Sequence, residues 1–586
     1  MKSLLAHYFQ PNLRSILFAL KGLSAVALAL VVSMSLDLDK PFWAMVASMM
    51  LQARPETGLV IEKALCLILG SALGAAVAVF ILDNFMPYPT LAIGALALCI
   101  ACTSALASTE RHVNFVFGLA LVSVTAVLIV MFAIVEPATT TSESIFLVVR
   151  ARLTEVIVGA SCATLSSLFL FPWRVEALVK GHAKRLRGLS MSYIDMLLQP
   201  EPDRAGLHQQ RLSMIALTTT ISDDSNAGRY ERANTIRAAL HMANSALTVI
   251  ACGQTIEQLI SQNKDVWEGL LAEYKTGQGM ADSNLELLAA LSKRPYEIHL
   301  ADLGAALQEL TRASVIMGVA DEALNKDENF HELGPRLKRH RDWRIAGKSA
   351  LRNAIVFLVV AYIWILSDGA STLIMMMVLP TLFSQMFGAA PAPAMIVRKL
   401  IVGVALAIPV ATFLVLGTVA QGPDHFAALI LILAGPLFLA LMAMTSPALT
   451  PYGLGFCLAL AVSTQPSNYM TFAVDQAVTT GIGVIAGLAV LFIAFALTGP
   501  PKGNALQRRV IKALTADLNF MMATAEPAAW FNRRVAERLS YLHAYAPATA
   551  EGRELTEQGL ALLEKGHRLA RNLPAPIRRQ EGAGSE

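Results

Sequence analysis

Charge is sparse in two long stretches of this 586-residue chain. Residues 15–172 and 350–498 hold few Asp, Glu, Lys or Arg, whereas 173–348 and 500–586 are dense in them. Charged residues make up 15% of the whole and hydrophobic residues 55%, with a mean hydropathy of +0.54. A soluble protein of this size carries about 25% charged residues and divides into several domains. The segregation indicates two membrane blocks alternating with two soluble blocks. Cysteine is scarce too. Five of the six cysteines lie inside apolar runs, which reads as packing rather than a disulfide framework. Cys99 and Cys102 have CxxC spacing, but LALCIACTSAL around them lacks the polar shell of a redox or zinc site.

Other absences narrow the chemistry. The net charge of +4 is small, and no basic arm with interleaved aromatics appears, so nucleic acid is not indicated. Ala346-Gly347-Lys348-Ser349 matches the end of a phosphate-binding loop, but Asp342 stands where the pattern needs its first Gly. No HExxH, nucleophile elbow or Ser-His-Asp arrangement stands out. Neither ATP hydrolysis nor another enzymatic reaction is expected, and no cofactor or metal is called for. A gradient-driven transporter or a passive pore fits better. The apolar stretch Ser15–Leu36 follows Lys2 and Arg14 without a convincing cleavage site, so it reads as an uncleaved first membrane helix.

What is present has a regular layout. The first block divides into apolar segments at 15–36, 41–53, 59–82, 89–108, 113–135 and 145–171; the second at 350–367, 371–388, 395–420, 425–444, 452–464 and 471–498. Each block starts on a basic helix and reaches an acidic turn (Asp39; Asp368-Gly369). A Met-rich segment and a Pro-bearing break (Pro55; Pro391 and Pro393) follow. The expected architecture is an all-α integral membrane protein with two parallel six-helix repeats, at 1–172 and 348–499. A helical domain at 173–347 and a helical tail at 500–586 complete it, with apolar residues at three- and four-residue spacing. Lys and Arg concentrate in alternate loops and after the sixth segment, which puts both termini and both soluble blocks in the cytoplasm. GPRLKRHRDWR reads as a topology anchor in contact with lipid headgroups.

Charge inside a membrane segment is costly and therefore points to function. Asp39 and Lys40 open the short segment, Arg54 and Glu56 close it, and Arg150, Arg152 and Glu155 interrupt SIFLVVRARLTEVIVGA. Arg152 and Glu155 are three apart, on one helix face where they can pair, with Gly159 a turn further on. The run Phe42–Leu51 is too short for the ~20 residues of a full crossing. It would leave helix ends at depth, with Phe42, Trp43 and the methionines as an aromatic, adaptable wall. Such a wall beside a positive charge suits a flat organic acid. The Gly70/Gly74 and Gly483/Gly487 spacings read as helix packing.

Asp39-x-Pro41-x-Trp43-Ala44, Pro55-x-x-Gly58, Lys63-Ala64 and Gly70-x-x-x-Gly74 resemble the fusaric acid resistance family, which includes aromatic carboxylic acid efflux pumps. Arg152-x-x-Glu155-x-x-x-Gly159 followed by Phe171-Pro172 is similar to that family's sixth-helix signature. Where the family often has an Arg before the Gly70 motif, this chain has Leu67, so positive charge must come from elsewhere. The resemblance implies a bacterial inner-membrane exporter of aromatic or other weak organic acids. It also implies a periplasmic membrane-fusion partner and, in some systems, an outer-membrane channel.

The expectation is a proton-coupled secondary efflux transporter: Arg54, Arg111 and Arg152 draw the anion, and Phe42, Trp43 and Met50 contact its ring. Asp39, Glu155 and Asp368 are the proton-coupling candidates. The rivals are a passive anion channel of the same fold and a membrane-anchored helical sensor or scaffold.

Overall fold

The computed structural model describes residues 12–52, 57–110, 112–135, 141–170, 175–199, 201–227, 233–277, 284–297, 300–326, 337, 340–390, 392–421, 426–470, 472–499, 503–524, 527–544 and 550–571. Among the described residues there is no β-strand. The chain forms two compact units, one from 1–174 with 341–500 and the other from 175–340 with 501–586.

The first unit opens with α1 (Leu13–Ser35), α2 (Phe42–Leu51), α3 (Thr57–Phe85), α4 (Pro89–Thr109), α5 (Val113–Val135) and α6 (Ser142–Phe169). The second unit takes up α7 (Val175–Leu197), α8 (Arg204–Ala227), α9 (Ala233–Gln262), α10 (Lys264–Gly277), α11 (Asn284–Lys293) and α12 (Ala301–Lys326). The chain then returns to the first unit with α13 (Trp343–Leu366), α14 (Met375–Met386), α15 (Pro393–Val410), α16 (Phe426–Met444), α17 (Thr450–Thr464) and α18 (Val474–Thr498). It ends in the second unit with α19 (Gly503–Met521), α20 (Pro527–Ala544) and α21 (Ala550–Arg571).

Every apolar segment read from the sequence forms a helix over its described residues, and among the described residues eight helices are long and apolar enough to cross a membrane. The exceptions have two causes. α2, α14 and α17 are short, at 10, 12 and 15 residues. α6 has 28 residues but carries Glu143, Arg150, Arg152 and Glu155. It turns Phe146, Leu147, Ile157, Leu165 and Phe169 outward and buries Arg152, Glu155 and Gly159. That is the inverse of a water-soluble amphipathic helix, and it suits a lipid surround. α15 runs on through a π-helical stretch, Ala411–Leu416, that begins just after Pro409, whose ring cannot donate to the helical ladder.

Within the first six helices α2 packs on α6 and α1, α3 on α5 and α6, and α4 on α5. Within the next six of this unit α14 packs on α18 and α13, α15 on α17 and α18, and α16 on α17. Between the two sets α1 meets α16, α4 meets α13, α5 meets α14 and α2 meets α17. Glycine sets the closest of these approaches. A Cβ at Gly159 would collide with the Ala44 carbonyl oxygen, and one at Gly487 with the Met376 carbonyl oxygen.

In the second unit, helices from both of its chain segments share one core, with α8 against α20 and α9 against α21. Trp267 and Tyr193 are fully buried there. A charged cluster joins the segments: Glu309 accepts from Arg571 Nη1 at 3.1 Å and lies 3.3 Å from His567 Nδ1, while His567 Nε2 is 2.8 Å from Asn532 Oδ1.

Candidate functional site

The site is organised by α2, a helix too short to be stable alone. Nine of its ten residues are buried, so packing holds it. Its ends are also held, each by the charge that its dipole favours. At the N-terminal end Pro41 has no N–H to satisfy, and the preceding Lys40 N–H donates to Glu155 Oε1 at 3.0 Å. At the C-terminal end the Lys63 ammonium donates to the Met50 carbonyl. Gln52 Nε2 donates to the Ala163 carbonyl at 3.0 Å and to Ser167 Oγ at 3.2 Å, pinning the same end to α6. The short-segment reading therefore holds: the helix stops at Leu51 and Gln52 caps it.

α6 is fixed in turn. Thr141 and Ser144 form a reciprocal capping box at its start, at 2.7 and 3.2 Å. Gly159 lets it lie directly on α2, which sets the depth of Arg152 two turns earlier. Arg152 is 8% exposed, and its guanidinium carbon lies 4.3 Å from the centre of the Trp43 ring. A desolvated cation–π contact of this kind is worth about 2 kcal/mol. Arg152 Nε and Nη1 are buried and have no hydrogen-bond partner among the described residues. Glu155, 2% exposed, takes the Lys40 N–H rather than a hydrogen bond from Arg152. Arginine and glutamate thus share one wall without the direct pairing that their spacing allows.

That wall faces a cavity of about 460 Å³. Asp39, Lys40, Phe42, Trp43, Arg152 and Glu155 line it from the first six helices, joined by Leu128, Ile129 and Phe132 of α5. Ser371, Thr372, Met375, Gln465, Gln476 and Thr480 close it from the other six. A smaller cavity of about 160 Å³ adjoins it, sharing Asp39, Lys40, Phe42, Gln465 and Gln476 and adding Ser463, Thr464 and Tyr469. Lys40 Nζ stands 3.8 Å over the Phe132 ring between the two. The larger volume is in the range that holds a small organic molecule. Its chemistry is amphipathic: rings with two cations and two carboxylates on one side, hydroxyls and amides on the other.

The structure brings Asp39, Phe42, Trp43, Arg152 and Glu155 together on this cavity. It does not bring Met50 or Asp368 there. Met50 is buried at the far end of α2, where its carbonyl meets Lys63. Asp368 is exposed in the turn after α13, with a φ of 58°. Arg54, Glu56 and Arg111 lie outside the described residues. Sequence reasoning placed Lys40 at the mouth of the short segment but gave it no separate role. It missed the second-half wall altogether. Gln476 and Thr480, four apart on α18, were the available signal there: two polar residues on one face of an apolar helix.

Among the described residues no group of acidic, His or Cys side chains is arranged to hold a metal ion. The six cysteines are free.

Comparison with known proteins gives the fold and the site a context. The model of the fusaric acid resistance protein family matches residues 15–579. The chain is 24% identical to the uncharacterized transporter YdhK of Escherichia coli (strain K12) over 538 residues, covering 87% of this chain and 77% of that one. It is 24% identical to YdhK of Salmonella typhimurium (strain LT2) over 580 residues, 94% of this chain and 82% of that one. It is also 25% identical to the p-hydroxybenzoic acid efflux pump subunit AaeB of Enterobacter cloacae over 254 residues, 40% and 37% of the two chains. With a match that runs across nearly all of its helices, this multi-pass membrane protein belongs to the fusaric acid resistance protein family of transporters.

Proposed function

We propose that this chain is a bacterial inner-membrane secondary transporter that exports aromatic carboxylic acids through the cavity between its two sets of six helices. One observation carries the reading. Arg152 is buried on an aromatic ring with two N–H groups unpartnered, and it lines a cavity of about 460 Å³. Buried N–H groups of a cation left without a hydrogen-bond partner are costly. A carboxylate placed against Nε and Nη1 supplies the missing acceptors, and the ring of an aromatic acid continues the Trp43–Phe42 surface. The name of AaeB, a p-hydroxybenzoic acid efflux pump subunit, supports the same class.

Glu155 is the proton-coupling group in this reading. Asp39, Lys40, Arg152 and Glu155 sum to no net charge when all are ionised, so a bound monoanion leaves the cavity one charge short. Protonation of Glu155 restores the balance, and it also weakens the hold on the Lys40 N–H at the mouth. Counter-movement of a proton and an acid follows from that exchange.

We read the two sets of helices as parallel repeats, and the cavity wall supports this. Gly159 on α6 meets the Ala44 carbonyl; Gly487 on α18 meets the Met376 carbonyl. Seven residues before each glycine stand Arg152 and Thr480; one residue before each carbonyl stand Trp43 and Met375. Five and four residues before the carbonyls stand Asp39-Lys40 and Ser371-Thr372. All of these line the cavity. The repeat thus supplies two matching walls, with charge on only one.

The loop charges support a cytoplasmic second unit and cytoplasmic termini, with the Asp39–Lys40 mouth on the periplasmic side. On that side a periplasmic partner and an outer-membrane channel would receive the acid, as the name of AaeB as a pump subunit suggests. The test is export of p-hydroxybenzoate from loaded cells. Wild type is expected to export against a gradient, and an uncoupler to stop it. Arg152→Ala should abolish export with normal membrane insertion. Uncoupler-insensitive flux down the gradient would make the protein a channel, and full export by Arg152→Ala would remove the proposed site.

A further inference from the structure

Three cavities of the first unit stand in a row. The cavity of about 460 Å³ and its neighbour of about 160 Å³ share Asp39, Lys40, Phe42, Gln465 and Gln476. The smaller one in turn shares Ser467 and Tyr469 with a groove of about 620 Å³. That groove lies between α1, which supplies Val31 and Met34, and α16, which supplies Leu429 and Ile432. It reaches the surface at Tyr469, which is 83% exposed. Asn468, also on its wall, ties the loop after α17 to α1 through the Met34 carbonyl.

The lining changes along the row. The first cavity carries the charges, the second adds the hydroxyls of Ser463, Thr464 and Ser467, and the groove is largely apolar on its helices and polar on the loop. An anion that moves this way keeps hydrogen-bond donors beside it as it leaves Arg152 and Lys40. The alternative opening is on α6, at Val148, 40% exposed on a stretch that also turns Phe146 and Leu147 outward. A carboxylate leaving there would enter hydrocarbon with no such donors.

Gln465 marks the first joint. Of the three non-glycine residues with positive φ among the described residues, it alone is not an aspartate, and its φ is 42°. It caps α17, with its N–H donating to the Ala461 carbonyl. Glycine makes that turn without strain, whereas a long side chain adopts it at a cost. A glycine there would leave no side chain between the two cavities, both of which Gln465 lines.

We propose that the exported acid leaves the Arg152 cavity past Gln465, crosses the hydroxyl-lined cavity as the anion, and emerges at Tyr469 in the groove between α1 and α16. Gln465 is the gate of this route. The inference rests on the transport reading above and deepens it.

The test uses the full-length protein with its six native cysteines replaced. Ser467→Cys, at the second joint, and Val148→Cys, on the α6 side, are each labelled with a bulky maleimide. Export of p-hydroxybenzoate from loaded cells, and binding of the radiolabelled acid in lipid nanodiscs, are measured with and without the label. Labelled Ser467→Cys should lose export by about tenfold or more and still bind the acid. Labelled Val148→Cys should export as well as its unlabelled form. Gln465→Gly relieves the backbone and empties the first joint. Its thermal midpoint should equal or exceed that of wild type, yet with an uncoupler present it should pass the acid down its gradient several-fold faster. A raised midpoint with unchanged uncoupled flux would make Gln465 a turn residue only and overturn the gate. Undiminished export by labelled Ser467→Cys, or export lost with binding retained in labelled Val148→Cys, would overturn the route and leave the transport reading standing. Absence of export by unlabelled wild type would overturn the transport reading itself, and the route with it.

Discussion

At the scale of single residues, the Arg152–Trp43 contact is where substrate recognition can be dissected. Trp43 offers the guanidinium a ring face and offers the ligand a flat surface. Trp43→Phe keeps a weaker ring, whereas Trp43→Ala removes both functions. Export of p-hydroxybenzoate should therefore fall by about tenfold in Trp43→Ala, the equivalent of roughly 1–2 kcal/mol, and only a few-fold in Trp43→Phe. Equal losses in both would mean that indole size, not the ring face, is what counts. Glu155→Gln separates binding from coupling. The amide oxygen can still accept the Lys40 N–H, but the side chain no longer titrates. Labelled acid should still exchange across the membrane, while uphill export and its sensitivity to an uncoupler disappear. The residues behind both predictions were legible in the sequence because Arg152 and Glu155 are charges in an apolar run and Phe42-Trp43 follows a charged pair. Met50 was misplaced for a geometric reason. It is seven residues from Trp43 and on the same helical face, yet α2 is only ten residues long, so the two stand near opposite ends.

At the scale of elements, the short helix α2 depends on what touches its ends and its flank. Gly159 is the tightest of these contacts, since any side chain there meets the Ala44 backbone. Gly159→Val should push α2 off α6 and cost about 1–3 kcal/mol through overpacking, read as a lower thermal midpoint of the detergent-solubilised protein and lost export. Wild-type values for both would show that the helices can separate freely. The second unit has a comparable point in Glu309, which ties α12 to α21. Burial pushes its carboxyl up, but the hydrogen bond and charge of His567 and the Arg571 guanidinium outweigh that and hold it below the ordinary carboxylate value. A depressed value means that the ionised form stabilises the fold. That contribution is complete above the ordinary pKa of about 4.3 and is lost as pH falls through the lower folded value. Glu309→Gln should cost about 1–3 kcal/mol at neutral pH, seen as faster amide exchange in α12 relative to wild type, and the difference should shrink in acid. A constant difference across pH would assign the effect to shape rather than charge. The helices themselves were legible because apolar runs and their breaks mark ends clearly. The acidic turns were harder to match. Asp39 and Asp368 look like counterparts in sequence, but the residue with the backbone of Asp368 is Asp37. Both follow the first helix of their set in the left-handed region, at φ 58° and 49°, where a short polar side chain is tolerated.

At the scale of the whole molecule, the sequence displays two blocks of apolar segments, but the cavity between them depends on pairings that no local pattern encodes. Ser371, Thr372 and Gln465 carry no membrane-buried charge to draw notice, and they become a wall only because α14 packs on α5 and α17 on α2. If export proceeds by the two sets of helices moving against each other, then contacts across the mouth must break in each cycle. One such contact is defined: Asn468 Nδ2, in the loop after α17, donates to Asp37 Oδ1 at 2.7 Å and to the Met34 carbonyl at 2.9 Å. Neither residue lines the larger cavity, so tying them together leaves the binding surface untouched. In a background with the six native cysteines replaced, Asp37→Cys with Asn468→Cys should export normally until a short bifunctional thiol reagent bridges the pair. Export should then stop, while binding of p-hydroxybenzoate persists, and a reductant-cleavable bridge should restore transport on reduction. Undiminished export by the bridged protein would require a fixed passage, and a fixed passage cannot drive an acid uphill, so that single result would return the molecule to the class of passive channels.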